Sequence, residues 1–218
     1  MKRITILAGH YGSGKTNIAV NLALKMKADG YDTVIADLDI VNPYFRTKDS
    51  LDRLSAAGIK LISSEYANSN VDIPAMPQEM YSVVDDKEHY YIVDLGGDDR
   101  GAYALGRFAD KINEEADFEM LFVFNKYRPL TRDAQSALEV MREIEDASRV
   151  KFTAIVNNSN IGELTTADMV LTSKAECDKL CLISGLPVKF TSVEKTVFDS
   201  IEDFEGELFS LELQKKII

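Results

Sequence analysis

Seven short runs of β-branched and aliphatic residues recur along the chain, at 4–8, 33–37, 59–63, 90–94, 120–125, 152–157 and 187–191, each followed by a polar stretch with helical spacing. Strands alternating with helices predict parallel βαβ units. The runs YYIVDLGG and MLFVFN are apolar without alternation, the signature of strands covered on both faces. The fold expected is therefore α/β, with a mostly parallel central sheet, helices on both faces and three layers in one domain spanning 1–218. A helix is predicted over 15–28, with Ile18, Leu22 and Met26 in one stripe and Asp29-Gly30 as its stop. A second is predicted over 131–146, with Ala134, Leu138, Met141 and Ile144 facing the core. The segment 66–79 carries two prolines and several turn residues. It reads as an irregular loop before a short helix, either a lid or partner surface or an ordinary connection. Leu208, Leu211 and Lys215 sit at helical spacing in 204–218 and predict a terminal helix packed on the domain. Glu205, Glu207 and Glu212 would oppose an anionic bilayer there.

The first strand runs directly into Gly9-His10-Tyr11-Gly12-Ser13-Gly14-Lys15-Thr16, which satisfies G-x-x-x-x-G-K-T and opens a helix. That strand, loop and helix context defines a P-loop. Glycines let successive backbone N–H groups point at phosphate oxygens, and the helix start adds unpaired N–H groups and its dipole. Lys15 supplies a mobile charge for the terminal phosphates and the Thr16 hydroxyl a ligand for Mg²⁺. Gly9, Gly12, Ser13, Gly14, Lys15, Thr16 and Asn17 make up the expected nucleotide-binding run. Asp94 ends an apolar strand and begins D-x-x-G with Gly97. Its carboxylate suits the metal shell and Gly97 the γ-phosphate. Asp37 and Asp39 close the second strand two residues apart, hence toward one sheet face. A solvated strand end is the plainer reading of those two.

A formal charge of -11 opposes a general nucleic-acid or acidic-membrane surface. Cys177 and Cys181 are the only cysteines, too few and too close to staple a secreted fold, which fits a cytoplasmic protein. Their C-x-x-x-C spacing on an amphipathic segment reads as two small buried groups, with a metal site shared across a dimer as the alternative. No stretch reaches the roughly 18 apolar residues of a membrane span.

Taken in order, GHYGSGKTNIAVNLA, VIADLDIVNP, YYIVDLGG, LTRDA and AIVNNSN resemble the MinD/ParA/Mrp branch of the SIMIBI P-loop ATPases over nearly the whole chain. The resemblance implies ATP with Mg²⁺ as the ligand. It places Asp39 in switch I as the residue that activates water, alongside Lys15 as the catalytic pair. Asp37 would assist the metal, together with Thr16 and Asp94. It implies Asn157, with Asn158 as neighbour, at the purine. It implies a homodimer or a protein partner, with no direct nucleic-acid or membrane contact. Asn125-Lys126 looks like a guanine-reading motif but lacks the following aspartate, so adenine is favoured over guanine.

One departure matters. The family's signature lysine follows the first glycine, and here His10 stands there, followed by Tyr11. Arg46 and Arg100 are considered as substitute positive fingers. The same departure raises the dethiobiotin-synthetase and cobyrinic-acid-synthase type, which share the P-loop and use ATP to activate a carboxylate. A nucleotide-gated interaction module without hydrolysis is the third reading.

Overall fold

The computed structural model describes residues 2–39, 51–63, 77–97, 99–115 and 117–213. Eight strands form one parallel sheet: β1 (Ile4–Ala8), β2 (Thr33–Leu38), β3 (Lys60–Ser63), β4 (Tyr90–Leu95), β5 (Phe118–Phe124), β6 (Ala154–Asn157), β7 (Val188–Glu194) and β8 (Leu208–Leu211). Their spatial order is β3-β2-β4-β1-β5-β6-β7-β8. All seven pairings are parallel. Every residue of β1, β2 and β6 is buried, whereas the edge strands β3 and β8 mix buried with exposed positions. Unalternating runs in the sequence thus mark the strands that carry helices on both faces.

Alternate residues of the same strands feed two separate cores. One face gathers Ile4, Ile6, Val93, Met120, Phe122 and Phe124. Against it pack α3 (Ser82–Asp85), α4 (Asp99–Gly106), α5 (Ala109–Glu114), α6 (Ala134–Ser148) and α7 (Ala167–Ser184). The other face gathers Leu7, Ile35, Ile92, Leu121, Val123 and Val156 under α1 (Lys15–Ala28) and α2 (Leu51–Ala56). A last short helix, α8 (Lys195–Phe198), follows β7.

The helix boundaries have local causes. α1 stops where Gly30, at φ 92°, lets Gly30 N donate to Lys27 O and Tyr31 N to Met26 O, the Schellman arrangement that only a left-handed residue permits cheaply. The helix expected over 131–146 begins at Ala134, because the Asp133 side chain accepts from Ser136 N at 2.9 Å and caps it there. Residues 66–76 of the expected loop lie outside the described residues, and a 3-10 turn with α3 follows them.

The terminal helix expected over 204–218 is corrected in its described part: Leu208–Leu211 is the eighth strand. The controlling pattern has period two. Phe209 and Leu211 are buried and Leu213 packs on the same core, while Ser210 between the first two is exposed. Phe209 meets Phe190 of β7 with ring centroids 4.9 Å apart. Asn21 of α1 then clasps the strand end, its amide donating to Glu212 O and accepting from Glu212 N, both at 2.9 Å. The prediction that this segment packs on the domain holds for residues 208–213; Lys215 lies outside the described residues. Among the described residues no helix is long and apolar enough to cross a membrane.

Candidate functional site

β1 lies between β4 and β5, so its C-terminal end delivers the glycine run to the middle of the sheet edge. The ends of β2, β4 and β6 arrive beside it. Lys15 is 7% exposed, and its Nζ donates to Gly9 O at 2.9 Å and His10 O at 3.2 Å, within the loop it serves. Gly14 is the N-cap of α1 at φ 95°, where an L side chain is strained, and a Cβ there would lie 2.1 Å from Asn158 Nδ2. Ser13 is buried with its hydroxyl oxygen unpartnered, and Asn17 stands in the first turn of α1.

The carboxylates lie together at the ends of β2 and β4. Register sets Asp37 of β2 directly beside Asp94 of β4. Asp39 follows them, its N–H donating to Asp37 Oδ1 at 2.9 Å. Thr16 Oγ1 donates to Asp94 Oδ2 at 2.6 Å, while the buried Asp94 Oδ1 has no hydrogen-bond partner. Burial, and after it the charge of Asp37, pushes the Asp94 carboxyl well above the ordinary carboxylate range; the Thr16 bond and Lys15 oppose the shift. A buried, crowded carboxylate with one free oxygen beside a threonine hydroxyl suits a small divalent cation. Among the described residues no three His, Cys, Asp or Glu side chains form a ready cage.

Gly97 closes the arrangement from the β4 side. A Cβ there would stand 2.7 Å from the backbone of Tyr11 and 3.0 Å from Lys15 Nζ. Only a hydrogen fits between the D-x-x-G turn and the P-loop.

The adjacent asparagines separate, because successive strand residues face opposite ways. Asn157 turns inward: its amide donates to Ser173 Oγ at 2.9 Å and accepts from Ser159 Oγ at 2.7 Å. Asn158 meets the P-loop, donating to Ser13 O at 2.6 Å and accepting from Ser192 Oγ at 2.6 Å. Asn125-Lys126 braces loops. Asn125 is fully buried and donates to Asn160 O, and Lys126 N donates to Ser159 Oγ.

Of the substitute fingers, Arg46 lies outside the described residues and Arg100 is exposed in the first turn of α4. His10 is held neutral near pH 7: burial first, then the charges of Lys15 and Arg128, lower its pKa from 6.5. Arg128 carries no motif that marks it in the sequence, although it stands two residues after Asn125-Lys126. Cys177 is buried and Cys181 half-buried, four residues apart on one face of α7. They form no metal cluster with a third ligand among the described residues.

The parallel sheet, the glycine loop at its central edge and the acidic strand ends define a P-loop NTPase of the SIMIBI class. Residues 4–172 match the family model for the CobQ/CobB/MinD/ParA nucleotide binding domain, and the chain belongs to that family. No curated protein matches the sequence. Solved structures share the fold at low identity. The signal recognition particle receptor FtsY from Elizabethkingia anophelis is 18% identical, with a TM-score of 0.52 over 93% of this chain and 62% of that one. The cell division protein FtsY from Thermotoga maritima is 19% identical, with a TM-score of 0.57 over 87% of this chain and 61% of that one. The 54 kDa signal recognition particle protein from Aeropyrum pernix K1, in complex with GDP, is 16% identical, with a TM-score of 0.51 over 86% and 40%. The chain spans about three fifths of the length of the FtsY proteins.

Proposed function

We propose that the protein is a Mg²⁺-dependent ATPase switch of the MinD/ParA kind, with slow hydrolysis governed by a partner or by dimerisation. The observation that carries this reading is the Thr16–Asp94 hydrogen bond with Asp94 Oδ1 left unpartnered beside Asp37. Thr16 and Asp94 would hold the cation, with Asp37 behind them. When bound, Mg²⁺ neutralises charge on the β- and γ-phosphates. The glycine loop with Lys15 grips the phosphates, and Asp39 at the end of β2 orients the attacking water. Gly97 lets the D-x-x-G backbone approach the terminal phosphate. Catalysis of this kind rests on positioning and electrostatics, with no covalent intermediate.

Adenine is supported by the loop after β6, where Asn160 donates to Asn158 and Asn158 donates to the P-loop. Asn offers the paired donor and acceptor that complement adenine, and Ser159, Asn160 and Ile161 after Asn158 include no aspartate for guanine. Of the two asparagines that the resemblance sets at the purine, Asn158 is the one that touches the P-loop.

A second reading, a nucleotide-gated module that does not hydrolyse, is favoured by the neutral His10 at the signature-lysine position. The test is light scattering with phosphate release, in Mg²⁺-ATP and Mg²⁺-GTP, for the wild type and Asp39→Ala. An ATP-dependent dimer that Asp39→Ala traps while abolishing release supports the switch. Binding without release in either protein moves the assignment to the module, and preference for GTP overturns the adenine reading.

A further inference from the structure

A second cation besides Lys15 lies against the P-loop. Arg128 stands in the turn after β5, and its guanidinium lies against the P-loop: a Cβ at Gly12 would be 3.4 Å from Arg128 Nε and 3.5 Å from its Cζ. Nε is buried and has no hydrogen-bond partner. Among the described residues no carboxylate pairs with the side chain. Arg128 as a whole is half-buried, and Nε is the atom of its guanidinium that is shut off from water without a partner.

The mounting is rigid. Arg128 N donates to Asn125 O at 3.1 Å, Thr131 N donates to Arg128 O at 3.1 Å, and Thr131 Oγ1 donates to Asn125 O at 2.7 Å. Asn125 Nδ2 ties this turn to Asn160 O at 3.0 Å, in the same loop as Asn158. Pro129 begins the 3-10 turn and restrains the backbone of Arg128 to an extended conformation. Lys15 Nζ donates to Gly9 O and His10 O while Arg128 lies against Gly12, so the two cations flank the same stretch of the P-loop.

We propose that Arg128 is a built-in arginine finger, a catalytic residue whose guanidinium contacts the β- and γ-phosphate oxygens of the bound nucleoside triphosphate from within the same chain. This rests on the nucleotide-binding reading above. In hydrolysis a water oxygen bonds to the γ-phosphorus and the bond from phosphorus to the β–γ bridging oxygen breaks. The electron pair leaves with the diphosphate, and the water's protons end on inorganic phosphate and solvent. Arg128 donates N–H groups to the oxygens that gain charge, the bridging and γ oxygens, work that the signature lysine would otherwise do. A planar five-donor guanidinium suits it better than a point charge.

The test compares wild type, Arg128→Gln and Arg128→Lys for phosphate release, and for calorimetric binding of ADP and of the β,γ-imido analogue of ATP, with thermal melts of each protein. Expected for Arg128→Gln are release lowered on the order of 10²-fold, a greater loss of affinity for the triphosphate analogue than for ADP, and an unchanged melting temperature. Arg128→Lys should fall between the two. If the wild type binds the analogue without hydrolysing it, the difference between analogue and ADP decides alone. Wild-type release and wild-type analogue preference in Arg128→Gln overturn the finger and leave the nucleotide reading intact. Equal losses for both nucleotides with a lowered melting temperature in both variants also overturn it, since they describe a loop brace. A wild type that binds no triphosphate overturns both.

Discussion

Asn158 Nδ2 donates to Ser13 O at 2.6 Å, joining the end of β6 to the P-loop across 145 positions of sequence. The bond is buried, and the same amide accepts from Ser192 on β7. Asn158→Asp keeps the shape and the Ser192 bond but sets a second acceptor against Ser13 O. It should destabilise the fold by about 1–3 kcal/mol and weaken nucleotide binding. Asn157→Ala should destabilise comparably while leaving nucleotide affinity nearly unchanged, because Asn157 faces Ser173 and Ser159. Urea unfolding and nucleotide titration of both variants check this, and equal affinity losses would restore Asn157 to the purine site.

Asp94→Asn separates stability from ligand binding. An amide still accepts from Thr16 but no longer sets a second buried charge beside Asp37. The unliganded protein should melt at a higher temperature than the wild type. The extra stabilisation by Mg²⁺ with the ATP analogue, which follows RT ln(1 + [L]/Kd), should collapse. Melting curves with and without Mg²⁺ and nucleotide measure both effects.

Gly97→Ala inserts a methyl group 2.7 Å from the Tyr11 backbone. One of the two turns must retreat, at a cost of roughly 1–3 kcal/mol. Binding of the triphosphate analogue should suffer more than binding of ADP, because the displaced turn is the one assigned to the γ-phosphate. Calorimetry with the two ligands reads the difference.

Far from the site, Arg3 at the start of β1 donates to Val83 O and, at 2.8 Å, to Glu115 Oε2. Lys87 and Arg3 hold the Glu115 carboxyl down to about 2 by donating to it. Its folded value lies below its unfolded value. The stabilisation is therefore complete above the unfolded value near 4.5 and is lost as pH falls from there toward 2. Glu115→Gln should lower the melting temperature at pH 7 and lose less of it than the wild type between pH 5 and pH 3. Parallel melts across that range would reveal no difference in slope if the pair contributed nothing.

The sheet was legible because its signal is local. Seven of the eight strands announced themselves as short β-branched and aliphatic runs, and the unalternating ones such as YYIVDLGG and MLFVFN fall on central strands. The terminal strand did not, because Leu208 and Leu211 satisfy a helical spacing while Phe209, Leu211 and Leu213 satisfy a strand's. Contact with Phe190 and the clasp of Asn21 decided between them, and neither partner is near in sequence.

The same division runs through the site. By itself the sequence determined the P-loop, its helix and the acidic strand ends, since glycine freedom, lysine charge and period-two geometry act within a few residues. Tertiary structure decided what the loop meets. The parallel register set Asp37 against Asp94, strand parity sent Asn158 to Ser13 and Asn157 away from it, and the turn after β5 carried Arg128 to Gly12. These are contacts between distant segments, fixed by which strands are neighbours in the sheet, and no spacing along the chain encodes them.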